Sequence, residues 1–230
     1  VGRNFSELTA TAGNSFAITG DVLVSARAFG VQSSSLPDPT VINAEGGEAF
    51  IDAFTGGSIT ILGDALVTAD AFGGLEDVDA DFGSATGGRA LVGSTGGALD
   101  IAGNVNVSAN AIGLDGGFGE TGAEMRAGLA QVFAAQAGAV TLGGNVTITA
   151  DAFGPTSVAS SGVSASDVFG GQALLNILAS GGAITIDGAT IVNANANAAF
   201  SSNALGGATA TGGEATVAVE GQNTLPLQHA

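Results

Sequence analysis

The chain repeats itself. The stretch Gly57-Ser-Ile-Thr-Ile-Leu-Gly-Asp-Ala-Leu-Val-Thr-Ala-Asp-Ala-Phe-Gly73 recurs, with variation, five times. Its anchor glycines are Gly20, Gly63, Gly103, Gly144 and Gly188, at spacings of 43, 40, 41 and 44 residues. A fixed period of this size means one structural unit stacked on copies of itself.

The unit reads as strands. Before each anchor lies a short alternating segment: Phe16/Ile18, Ile59/Ile61, Leu99/Ile101, Val140/Leu142 and Ile184/Ile186. After each anchor the inward positions run Val22, Val24, Ala26, Ala28 in the first copy. They run Ala65, Val67, Ala69, Ala71 in the second and end in Ala-x-Ala in every copy. Period two with one apolar face specifies a strand, and no three-and-four spacing for a helix is present. The taper from Val to Ala predicts a cross-section that narrows until only a methyl group fits.

A further strand precedes these two. It reads Gly47-Glu-Ala-Phe-Ile-Asp-Ala, Gly88-Arg-Ala-Leu-Val-Gly-Ser, Gly171-Gln-Ala-Leu-Leu-Asn-Ile and Gly213-Glu-Ala-Thr-Val-Ala-Val, with a degraded copy at Gly128-Leu-Ala-Gln-Val-Phe-Ala. Gly pairs at 56–57, 96–97 and 181–182 separate it from the next strand and supply the positive φ of a sharp corner. Loops of variable length, about 30–46, 73–87, 113–127, 154–170 and 198–212, complete each repeat. The expected fold is all-β, a parallel β-solenoid (β-helix) of about five 40–44-residue repeats, forming a single array over residues 1–230. One rung per repeat with three wall strands is preferred to two rungs of about 21 residues. The uncharged stretch 127–150 reads as strands joined by a glycine turn rather than a membrane helix, because it contains Gly138, Gly143, Gly144 and alternating apolar residues.

Stacking brings equivalent residues together in columns. The column Arg27, Asp70, Asn110, Asp151, Asn195 avoids like charges on adjacent rungs. The column Asp21, Asp64, Asn104, Asn145, Ala189 places two acids together, which calls for solvent screening or a cation. Phe29, Phe72, Ile112 and Phe153 point outward by parity. They are either tucked under a loop or form a seam for lateral association.

Composition narrows the function. There are 21 acidic residues against four Arg and no Lys, a net charge of −17, which repels nucleic acid and anionic membranes. The chain has no Cys, so thiol chemistry and thiolate metal sites are excluded. No signal peptide is visible at Val1, and the sequence reads as an excised segment. No catalytic, cofactor-binding or metal residues are assigned. Glu76, Asp77, Asp79 and Asp81 offer oxygen ligands for Ca²⁺ but read first as a solvated acidic loop. Gly117-Phe-Gly-Glu-Thr-Gly122 matches a dinucleotide-binding string without its helix, and Gly116–Glu120 only approaches a calcium-binding nonapeptide. His229 is the single histidine and supports no catalytic triad.

The pattern Gly-Gly-x-Ile-Thr-Ile-x-Gly-Asp/Asn-Val-x-Val-x-Ala-x-Ala, best kept at residues 57–73, 97–113 and 138–154, resembles the repeats of filamentous-haemagglutinin-like large adhesins. The resemblance implies a right-handed β-helical shaft of a secreted bacterial exoprotein. It would be extracellular or at the cell surface, acting in attachment or biofilm without catalysis. The partners expected are other copies, head to tail or side by side, and surface glycans or the substratum. Two alternatives stay open. A carbohydrate-active β-helix needs a groove with paired carboxylates. An ice-binding solenoid needs a regular Thr ladder, whereas the outward positions Leu23, Leu66, Asn106, Thr147 and Ile191 are mixed.

Overall fold

The computed structural model describes residues 4–30, 43–73, 83–113, 124–154, 167–178, 181–198 and 209–219. Every strand in it pairs parallel with the equivalent strand one repeat away, in five sheets. Val24 lies opposite Val67, and Val67 opposite Val107. One repeat is therefore one rung, and the two-rung alternative is removed.

Each rung contains five strands rather than three. In the second rung these are Glu48–Phe54, Ser58–Ile61, Ala65–Thr68, Ala71–Phe72 and Ala85–Thr86. The first three build three walls around the main core. The first wall is the largest, a six-stranded sheet running from Phe5–Ala10 to Glu214–Val219. The last two strands, only two or three residues long, build a side lobe that the sequence reading missed. Its outgoing strands are Ala28–Phe29, Ala71–Phe72, Ala111–Ile112, Ala152–Phe153 and Ala196–Asn197. Its returning strands are Ala44–Glu45, Ala85–Thr86, Glu124–Arg126, Asp167–Phe169 and Ala210–Thr211. The returning strands fall inside segments that lack alternation, where the sequence predicts loop.

The two lobes have separate cores. Ile51, Ile59, Ile61, Val92, Leu99, Ile101 and Ile148 fill the main one and are fully buried. Burying each such side chain contributes about 1.5–3 kcal/mol. The side lobe is filled by Ala44, Ala71, Ala85, Ala111, Met125, Ala152, Val168 and Ala198. Ala71, Ala111 and Ala152, expected to face the main interior, belong to this second core. Parity is kept, but the chain has crossed a waist between Ala69 and Ala71.

Glycine makes the waist. The Gly88 N–H donates to the Ala69 carbonyl at 2.7 Å, and Gly47 to Ala26, Gly128 to Ala109, Gly171 to Ala150 and Gly213 to Ala194 repeat the bond. A Cβ on Gly46 would stand 2.2 Å from the Ala69 oxygen, and one on Gly88 2.0 Å from the Gly47 oxygen. The taper from Val to Ala is the approach to this closure.

The corner glycines do two different jobs. Gly56, Gly96 and Gly181 adopt φ of +74°, +77° and +90°, as the sharp turn into the second wall requires. The equivalent turn in the fourth rung places Gln136 and Ala137 at +52° and +63°, so Gly138 is not its left-handed residue. The anchor Gly63 is needed for space instead: its Cβ would lie 2.5 Å from the Gly20 backbone.

Candidate functional site

The waist has two outer flanks, and the polar chemistry of the described residues gathers there and at the anchor corners. On one flank, between the third wall and the side lobe, the column Arg27, Asp70, Asn110, Asp151, Asn195 forms a continuous ladder. Asp70 and Asp151, expected to point outward, are only 5% and 8% exposed because the crook of the chain encloses them. The Asp70 carboxylate accepts the Asn110 N–H at 2.8 Å, the Asn110 amide oxygen accepts the Asp151 N–H at 2.8 Å, and Asp151 accepts the Asn195 N–H at 2.7 Å. The hydroxyls of Thr68 and Ser108 also donate to Asp70, at 2.7 and 3.1 Å. Arg27 lies 3.6 Å from Asp70. A short side chain with a carbonyl-type oxygen is therefore required at each step, which explains why the column is Asp or Asn above the first rung. Charge-assisted bonds of this kind are stronger than neutral ones.

A second ladder runs along the anchor corner. Asp21 accepts the Asp64 N–H at 2.9 Å, Asp64 accepts that of Asn104 at 2.7 Å, Asn104 that of Asn145 at 3.0 Å, and Asn145 that of Ala189 at 2.9 Å. The juxtaposed acids Asp21 and Asp64 are thus not carboxylate against carboxylate, since a backbone N–H takes the lower oxygen. Beside them lies a shallow depression of about 440 Å³ lined by Leu23, Leu66 and Asn106 among others.

The opposite flank, between the returning strands and the first wall, is a groove of about 330 Å³ with a glycine floor at Gly46–Gly47 and Gly87–Gly88. Its rims carry Glu45, Glu48, Arg89 and Arg126. Arg89 lies 3.7 Å from Glu48, Arg126 pairs with Glu124, and the Arg126 guanidinium also sits 4.2 Å over the Phe169 ring. The sequence signal for this groove is the glycine doublet at 46–47, 87–88, 170–171 and 212–213, with Ala127-Gly128 in the remaining repeat, which reads at first only as a strand start.

On the outer face of the first wall, Asp52 is 8% exposed and bonds Thr95 through both its N–H and its hydroxyl, each at 3.0 Å. Burial raises its carboxyl above the ordinary 3.8, and the two bonds from Thr95 only partly offset this.

The Phe29, Phe72, Ile112, Phe153 column keeps its outward parity. Phe29 and Phe72 stack at 4.7 Å with planes 6° apart. Phe29 is 60% and Phe153 38% exposed. The acidic group Glu76, Asp77, Asp79 and Asp81, the Gly117–Gly122 string, Gly116–Glu120 and His229 lie outside the described residues. Among the described residues, no three His, Asp or Glu stand together so as to hold a metal, and no helix is long and apolar enough to cross a membrane.

No family model matches the chain, and no curated protein matches it. Among solved structures, a TibC-catalysed hyper-glycosylated fragment of TibA aligns over 87% of this chain and 94% of that one, at 19% identity and a TM-score of 0.09. A superposition of that quality equates no residues between the two.

Proposed function

We propose that the chain is a shaft segment of a secreted or cell-surface bacterial adhesin of filamentous-haemagglutinin-like type, acting in attachment or biofilm formation without catalysis. One observation carries the reading. In every rung the variable segment leaves after the outgoing side-lobe strand and rejoins at the returning one, as between Gly30 and Asn43, Gly73 and Gly83, and Gly113 and Glu124. Five sequence-variable loops therefore originate along one edge of a regular, in-register body. Constant walls with variable edges suit multivalent contact, in which many weak loops add without a deep pocket. The partners are surface glycans or the substratum, together with other copies lying side by side along the Phe29–Phe153 column.

The test replaces loops 31–42, 74–82 and 155–166 with short Gly-Ser linkers in the surface-displayed chain. Attachment to abiotic and cell surfaces should fall at least tenfold while the β circular dichroism spectrum is kept. Unchanged attachment would sink the proposal. The glycine-floored groove favours one competing reading, a carbohydrate-active β-helix with Glu45 and Glu48 on its rims. Release of reducing ends from neutral or acidic glycans, abolished by Glu48→Gln, would establish that reading instead.

A further inference from the structure

The bonds that close the waist also fix which backbone groups face outward from it. A glycine N–H crosses the waist in each rung: Gly47 to the Ala26 carbonyl, Gly88 to Ala69, Gly128 to Ala109, Gly171 to Ala150 and Gly213 to Ala194, at 2.7–2.9 Å. A trans peptide plane points its C=O opposite to its N–H, and the chain has no cis peptide bond. The carbonyls of Gly46, Gly87, Ala127, Gly170 and Gly212 therefore point away from the waist, over the flank that carries the glycine-floored groove. By the same rule the N–H groups of Asp70, Asn110, Asp151 and Asn195 point out over the opposite flank.

The two flanks are finished differently. On the ladder flank the outward N–H groups of Asn110, Asp151 and Asn195 are taken by the side-chain oxygens of Asp70, Asn110 and Asp151, at 2.7–2.8 Å. On the groove flank none of the five outward carbonyls accepts a hydrogen bond from a described residue. The chain cannot supply a donor from the second residue of each doublet, because a Cβ on Gly88 or Gly128 would stand 2.0 or 1.9 Å from the carbonyl oxygen one rung below. The flank therefore presents a file of acceptor oxygens at about the 4.8 Å strand spacing, open to donors from outside the chain. Above the file the rims carry both signs, Glu45 and Glu48 with Arg89 and Arg126. The side chains of Arg89 and Arg126 are 53% and 50% exposed. The Arg126 Nε serves Glu124, while its two Nη groups make no hydrogen bond among the described residues.

We propose that this groove binds a neutral, linear polysaccharide lying along the stack, whose hydroxyls donate to the carbonyl file while its oxygens accept from Arg89 and Arg126. A sugar chain carries donors and acceptors densely enough to serve both. The charge balance selects a neutral one. The chain's net charge of −17 opposes an anionic polymer, and two of its four arginines stand on these rims against a cationic one. A peptide strand has the wrong pitch, since the N–H groups along one of its edges recur only every second residue, roughly 6.8 Å apart. The inference deepens the shaft reading, on whose glycan partner it rests, by placing a glycan contact on the constant body rather than on the variable loops.

The test is a titration of the whole chain with cellohexaose, laminarihexaose and maltohexaose, followed by calorimetry and by backbone NMR. Hexamers of galacturonate and of glucosamine serve as anionic and cationic comparators. At least one neutral hexamer should bind at millimolar concentration or below, and more tightly than either charged one. The carbonyl-carbon signals of Gly46, Gly87 and Ala127 and the amide signals of Gly47, Gly88 and Gly128 should shift, while the amides of Asn110 and Asp151 on the opposite flank stay in place. Thr86→Trp, at an exposed position on the groove rim, should weaken binding at least tenfold. Thr141→Trp, equally exposed on the outer face of the second wall, should not. Three results would overturn the proposal: no binding of any neutral hexamer, tighter binding of a charged one, or shifts in the unaltered protein that avoid the carbonyl file. The chain with loops 31–42, 74–82 and 155–166 replaced should keep its hexamer affinity. Lost attachment with retained hexamer binding then supports both readings. Retained attachment with no hexamer binding sinks the groove and the loops separately.

Discussion

The two lobes of a rung are made from the same period-two pattern and are packed by opposite rules. The main lobe is wide, and its columns of Ile, Leu and Val meet across three walls. The side lobe is so thin that its outgoing strands present only alanine to the interior. Between them the backbone touches itself at glycine. Width across the rung, rather than hydrophobicity, selects the residue at each inward position. In the main lobe the vulnerable change is deletion of volume; at the waist and in the side lobe it is addition.

The waist should show the largest effect. Gly88→Ala forces a Cβ against the Gly47 carbonyl, with stacked strands on either side to prevent relief. A loss of at least about 3 kcal/mol is expected, at the upper end of overpacking costs, read as a fall in the urea midpoint. Gly20→Ala is the matched control, since nothing lies within 4 Å of its Cβ, and it should change the midpoint little. Equal losses in the two variants would break the comparison.

Ile101→Ala should come next, costing about 2–5 kcal/mol through the cavity left in the main core. Ala111→Leu, a gain of volume in the side lobe, should cost about 1–3 kcal/mol. If Ala111→Leu were neutral, the side lobe would have room and the width rule would fail. Asn110→Ala is a smaller perturbation. It leaves the part-buried Asp151 N–H without its acceptor, and about 1–3 kcal/mol should be lost. Hydrogen exchange at Asp151 should speed up more than exchange at Ile148.

The smallest effect concerns Asp52 and depends on pH. Burial raises its carboxyl above 3.8 in the folded chain, so the fold binds that proton more tightly than the unfolded chain does. Stability from this group is therefore greatest below 3.8 and falls as pH rises through the window up to the raised folded value. Asp52→Asn keeps an acceptor for the Thr95 N–H and stays neutral. It should raise the melting temperature slightly at pH 7 and flatten that part of the stability profile. A lowered melting temperature at pH 7 would show that the two bonds from Thr95 outweigh the burial.

Much of the body was legible from residues alone. The spacing of Gly20, Gly63, Gly103, Gly144 and Gly188 carries the rung, and alternation at Ile59/Ile61 and Val105/Val107 carries the walls. The returning side-lobe strands were not legible. Two residues such as Ala85–Thr86 are too few to show alternation, and they exist as a strand because the rungs on either side, at Ala44–Glu45 and Met125–Arg126, hold them. The depth of Asp70 and Asp151 was hidden for a related reason. Parity sends both outward, but the chain turns at the waist and folds the side lobe against them.

Local chemistry thus determined what repeats: the period, the strand faces, and the Asp/Asn columns whose short side chains can reach a backbone N–H one rung away. Only the tertiary structure decided where the rung closes. Closure depends on two segments about 20 residues apart, such as Ala69 and Gly88, meeting backbone to backbone. A strand's own pattern of faces records which side is buried, not which distant segment it is buried against.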